Sequence, residues 1–120
     1  MAKASAADVK KARIDIEVDG EPVTLIPSPD AIITLSRAYD GFKPLLDAIS
    51  RFNFDAISGT IVAGAGVDGK DARDMTQKVA KTNIIELVPP LTAFVMILLN
   101  GGKPLADDDG EKENADPSRS

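Results

Sequence analysis

The 120 residues contain no cysteine, no histidine and no tryptophan. Without cysteine there is no disulfide framework and no thiolate chemistry, and without histidine the commonest general base and the commonest metal ligand are both missing. Zinc, iron and copper centres are therefore not expected, and no cofactor is. Aromatics make up only 4% against a hydrophobic fraction of 43%, so a core has to be assembled from Ile, Leu, Val and Ala. Positive charge is in short supply too. The formal charge of −5 argues against a phosphate-tracking surface and hence against nucleic acid as a partner. The acid is unevenly spread: residues 103–120 carry six acids against three bases, which leaves 13 against 11 in the rest. Residues 1–12 lack the apolar stretch of a signal peptide, so a flexible arm and a cytoplasmic location are expected.

What remains is a chain of single-domain size. Residues 13–18 alternate apolar and charged side chains, as a strand with one wet face requires. Asp19-Gly20 supplies a two-residue hairpin turn and residues 22–26 a second strand. That loop length sets Ile16 opposite Val23 and Ile14 opposite Leu25, with all four on one face, and Pro22 opposite Glu17. Ser28-Pro29-Asp30 reads as N-cap, first-turn proline and first-turn acid of a helix carrying Ile32, Leu35 and Tyr39, with Gly41 as its stop. A second helix is predicted over residues 44–52 with Leu45, Ile49 and Phe52 inward. A third is predicted over Phe54–Ala65 behind an Asn53 cap, with Phe54, Ile57 and Ile61 in a stripe. Residues 64–70 are expected to be a glycine-rich loop, followed by a helix over 71–81 capped by Asp71 and facing Ala72, Met75 and Val79 inward. The stretch Ile84–Leu99 is apolar nearly all round. Pro89-Pro90 is expected to divide or kink it near Val88 and Pro89, and Asn100-Gly101-Gly102 to end it. The predicted fold class is α+β: an N-terminal hairpin on about five short helices over residues 13–102, with a disordered acidic tail over 103–120.

Three patterns invite chemical readings. Gly64-Ala-Gly-Val-Asp-Gly69-Lys70 fits part of a phosphate-binding loop, but Asp71 stands where a hydroxyl should meet magnesium, and no parallel sheet is predicted around it. Asp68, Asp71 and Asp74 flank Gly69 without the alternate spacing of a calcium loop. The scattered Asp, Glu, Ser, Thr and Lys residues offer no pairing that would activate a nucleophile, so the chain is not expected to be an enzyme. The segment Ile84–Leu99 is the remaining candidate. It is shorter than the roughly 20 apolar residues of a membrane span, and it contains Glu86 and two prolines, so a core helix or a core helix with a partner surface is expected. Leu91, Val95 and Leu98 form its inward stripe, Met96 and Leu99 lie on another side, and Phe94 falls beside both. Phe94, Met96 and Leu99 are thus the candidate partner-binding residues, and self-association is expected if that side is left bare.

In its order of features the chain resembles the tail assembly chaperones of siphophages and gene transfer agents, some of which are labelled tail tube proteins. The resemblance rests on Ile14-Asp-Ile-Glu-Val-Asp-Gly20, Val23-Thr-Leu-Ile-Pro27, Ala31-Ile-Ile-Thr-Leu35 and Tyr39-Asp-Gly41. Phe54-Asp-Ala-Ile-Ser-Gly-Thr-Ile-Val-Ala-Gly-Ala-Gly66 and the span from Val88-Pro89-Pro90 to Leu98-Leu-Asn-Gly-Gly102 extend it. It covers about residues 13–102 and implies a virion-assembly factor of the bacterial host cytoplasm. Such a factor would bind the tape measure protein, keep it soluble and help recruit tail tube subunits. Two other classes remain: a structural component of the tail or head-tail junction, and a small membrane-active phage protein.

Overall fold

A computed structural model describes residues 12–104. The expected arm and acidic tail lie outside them except at their inner ends, where the expected boundaries shift. Ala12 is buried, and the Asn100 side-chain amide donates to the carbonyls of Lys103 and Pro104. The architecture is α+β: strands β1 (Ile14–Val18) and β2 (Glu21–Leu25), then helices α1 (Pro29–Ala38), α2 (Phe42–Ser50), α3 (Phe54–Ala65), α4 (Gly69–Ala80) and α5 (Ile84–Leu99).

The hairpin has the register that its turn demands. Ile14 pairs with Leu25, Ile16 with Val23 and Glu17 with Pro22. Asp19 and Gly20 both have positive φ, 52° and 79°, as a two-residue turn matched to strand twist requires. Ile16 and Leu25 are buried and Ile14 and Val23 half-buried, while Val18, at the turn end of β1, is also buried completely. The turn is tied to the far end of α4. The Asp19 N–H donates to Thr82 Oγ1 at 2.8 Å, and Lys78 Nζ donates to Glu21 Oε1 at 2.8 Å. That hydrogen bond, reinforced by the opposite charge, draws the Glu21 carboxyl below and the Lys78 ammonium above their usual ranges.

Helix α1 starts as expected, with Ser28 Oγ accepting from the Ala31 N–H and Pro29 in the first turn. Its stop differs by one residue. Asp40 takes the left-handed position with φ 57°, and the Gly41 N–H closes the end on the Ser36 carbonyl at 2.8 Å. Helix α2 begins at Phe42, so Pro44 sits within its first turn, and it stops at Ser50. Phe52 therefore leaves the inward stripe assigned to it: its φ is +61° and it is 49% exposed. The tight connection to α3 forces this, because the Asn53 N–H bonds back to the Ala48 carbonyl while Asn53 Oδ1 caps Ala56. Bridging two such caps leaves residue 52 only the left-handed bend.

Helix α3 is the centre of the molecule, packed against β2 and against every other helix. Ile57 and Ile61 are fully buried, and Phe54 is half-buried against the core. The helix runs through Gly64, so the expected 64–70 loop shrinks to residues 66–68, and α4 is preceded by Asp68, not capped by Asp71. Gly64 is buried because β2 and α5 close on it: a Cβ there would stand 3.0 Å from Leu25 Cβ, Leu25 Cδ2 and Phe94 Cζ. Its carbonyl also accepts the Ile26 N–H at 2.9 Å, tying the exit of β2 to the helix.

Helix α5 is continuous across Pro89 and Pro90, which corrects the expected break. The two missing N–H groups would have bonded the carbonyls of Ile85 and Glu86, residues that are exposed near the helix start, where solvent can replace the lost donors at low cost. The end of α5 packs on the corner between β2 and α1, where Gly102 approaches Pro27 so closely that a Cβ would lie 2.7 Å from its carbonyl oxygen.

Candidate protein-binding face on α5

Leu87, Leu91, Phe94, Val95, Ile97 and Leu98 are buried on the inner side of α5. Phe94 is fully buried with its ring tip at Gly64, so it belongs to the core and leaves the candidate partner-binding set. Sequence periodicity could not place it, because it lies between the two faces of the helix; the glycine opposite decides its side. Met96 and Leu99 are on the outer side, 42% and 51% exposed.

The structure adds two members to that side. Ile85 is 62% exposed and Pro89 is also exposed. Positions 85, 89, 92, 96 and 99 alternate steps of four and three and so fall on one narrow stripe of a straight helix. Ile85 and Pro89 join Met96 and Leu99 only because α5 does not break at the prolines. The same spacing read backward from Leu99 would have found them in the sequence. Thr92, in the middle, is half-buried, and its hydroxyl donates to the Val88 carbonyl at 2.8 Å, so the stripe presents no unpaired side-chain donor at its centre. Among the described residues the other large exposed apolar side chains are Ile33 on α1 and Phe52 between α2 and α3, each away from this stripe.

The other candidate patterns are dispersed. Gly64 and Gly69-Lys70 stand on different helices, the first without free space around it, and Lys70 Nζ pairs with Asp74 on its own helix at 2.9 Å. That hydrogen bond holds the exposed Asp74 carboxyl below its usual range. Among the described residues no group of three or more His, Cys, Asp or Glu could hold a metal ion. No helix among them is long and apolar enough to cross a membrane. A cleft of about 610 Å³ lies between α1 and α3, with Ala31, Thr34, Leu35, Tyr39, Gly59 and Val62 among its walls. Burial raises the Tyr39 phenol above its ordinary value of 10.0, and the charge of Asp55 adds to the rise. Beside the Tyr39 phenol, the hydroxyls of Ser28 and Thr34 and the carboxylates of Asp30 and Asp68 line the cleft, and the remaining walls are small or apolar.

No protein-family profile, no curated protein and no solved structure matches this chain.

Proposed function

We propose that the chain is a tail-assembly-chaperone-type protein that binds the tape measure protein in the host cytoplasm and helps recruit tail tube subunits, acting through burial of apolar side chains and not through catalysis. The observation that carries this reading is the outer stripe of α5. A domain with a filled core has no internal use for Ile85, Pro89, Met96 and Leu99 on one line, and a helix partner covers such a line with apolar contacts at matching spacing. The order of hairpin, capped helices and Gly-Gly-terminated last helix, which resembles that chaperone family, favours the tape measure protein as the partner.

The test is a double substitution, Met96→Ser with Leu99→Ser, co-expressed with the tape measure protein. Both side chains are about half exposed, so the cost to folding is about 1 kcal/mol at each site. A melt that stays cooperative at a lowered midpoint, combined with loss of co-purification, is the expected result. Undiminished co-purification of the folded variant would overturn the proposal.

A further inference from the structure

Helix α3 keeps one face only partly covered, between α1 and α4. Two clefts meet there, since Gly59 and Val62 line both. The first is the cleft against α1. The second, of about 460 Å³, lies between α3 and α4, with Ser58, Ala72, Arg73 and Gln77 among its walls. The floor of this groove is low and open: a Cβ at Gly59 would meet only the Tyr39 hydroxyl, at 3.4 Å, and one at Gly66 would meet nothing within 4 Å. No residue of α5 lines either cleft, so the groove is separate from the apolar stripe.

The polar groups of the two clefts differ in kind. On the α1 side they are oxygens, the Asp30 and Asp68 carboxylates with the Thr34 and Tyr39 hydroxyls, and among the described residues no Lys or Arg lines that cleft. Neither carboxylate has an ion-pair or hydrogen-bond partner among the described residues. Asp68 stands at the start of α4, yet its side chain makes no cap hydrogen bond, in contrast to Ser28, Asn53 and Asn83 at their helix starts. It lines the cleft instead. Asp55 lines the second cleft, and its charge is felt at Tyr39 in the first. A recess with apolar walls, bordered by carboxylates and holding no cation of its own, favours a positively charged occupant. On the α4 side there are donors. Ser58 is 5% exposed, and its hydroxyl reaches only the Asp55 carbonyl at 3.5 Å, beyond the roughly 2.7–2.8 Å of a well-formed O–H···O bond. So poorly satisfied a buried donor is left for an acceptor from outside. The Arg73 guanidinium and the Gln77 amide line the same cleft. Carboxylates suit basic side chains and these donors suit carbonyls, and a basic peptide carries both.

We propose that the groove over α3 binds an extended basic peptide segment of a partner protein, with a lysine or arginine beside Asp30 and Asp68 and backbone carbonyls toward Ser58 and α4. The low floor at Gly59 lets the peptide backbone approach the helix. A free amine would meet the carboxylates and leave Ser58 unsatisfied. This interaction goes beyond the docking of the tape measure protein on α5 and does not depend on it.

With one tyrosine and no tryptophan in the chain, Tyr39 reports on the groove that it lines. The probe is a blocked hexapeptide of alternating alanine and lysine, free of aromatic residues, titrated into the full chain and followed by Tyr39 fluorescence and by calorimetry. Saturable binding that weakens as salt is raised is expected. The double variant Asp30→Asn, Asp68→Asn should bind roughly tenfold more weakly and each single variant about threefold, because the exposed carboxamides keep the shape and lose the charge. Asp15→Asn with Glu17→Gln, on the wet face of β1, removes the same charge elsewhere and should leave binding almost unchanged. Pentane-1,5-diamine, which offers ammonium groups without carbonyls, should bind more weakly than the peptide. Absence of saturable binding, equal weakening by the two double variants, a glutamine-for-lysine peptide that binds as well as the original, or a diamine as tight as the peptide would each overturn the proposal.

Discussion

Two alanines placed five residues apart in α3 should move stability in opposite directions. Replacing glycine by alanine within a helix ordinarily gains about 1 kcal/mol, from helix propensity and from a less disordered unfolded chain. At Gly59 the new methyl would meet only the Tyr39 hydroxyl, at 3.4 Å, the free end of a side chain that can give, so Gly59→Ala should stabilise by about 0.5–1 kcal/mol. At Gly64 the same methyl would meet three atoms at 3.0 Å, and Leu25 Cβ among them cannot swing away. The helix cannot retreat cheaply either, since the Gly64 carbonyl holds the Ile26 N–H at 2.9 Å. Overpacking of this kind costs about 1–3 kcal/mol and outweighs the propensity gain, leaving a net loss of roughly 1 kcal/mol. In a domain of this size each kcal/mol moves Tm by about 4–8 °C. Thermal melts checked by urea titration would resolve both shifts, with the urea slope unchanged if compactness is preserved. A Gly64→Ala variant as stable as Gly59→Ala would refute the reasoning, because it would mean that β2 and Phe94 do not close on α3 as described.

Ile16→Asp puts a carboxylate at a position only 8% exposed, under the helices, and should cost several kcal/mol, enough to abolish cooperative unfolding; a wild-type circular dichroism spectrum and Tm would contradict the inward face of β1. The single tyrosine makes Tyr39 directly observable: its ultraviolet titration should have a midpoint above 10.0 in the folded protein, falling only in part in Asp55→Asn because burial is the larger cause. Since the folded value is the raised one, the associated stability is complete below the unfolded value and is lost as pH rises through the folded one, so Tyr39→Phe should flatten the alkaline decline in Tm; an unchanged decline would count against the burial of the ring.

Whatever depends on neighbours within a few residues could be read from the sequence. Asp19-Gly20 admits one turn that matches strand twist, and a two-residue loop then sets every cross-strand pair, so Ile16 faces Val23 before any helix is considered. Ser28 and Asn53 cap their helices with side chains that reach three residues onward, a purely local hydrogen bond. The outward placing of Met96 and Leu99 followed likewise from helical period.

Tertiary structure decided where local rules conflict or fall silent. The Pro89-Pro90 pair would divide a helix whose freed carbonyls lay in the interior, but on the exposed side of α5 solvent can replace the lost donors, and the buried inner face holds the helix continuous. Gly64 in a glycine-rich stretch signals a loop until β2 and Phe94 arrive, when it becomes the one residue small enough for helix, strand and ring to meet. Phe52 was inward by period, yet two helix caps meeting across one residue turned it out. Phe94 could face either way by angle alone, and the space over Gly64 drew it into the core. In each case the deciding partner lies far along the chain or in water, and its geometry exists only after the helices have packed.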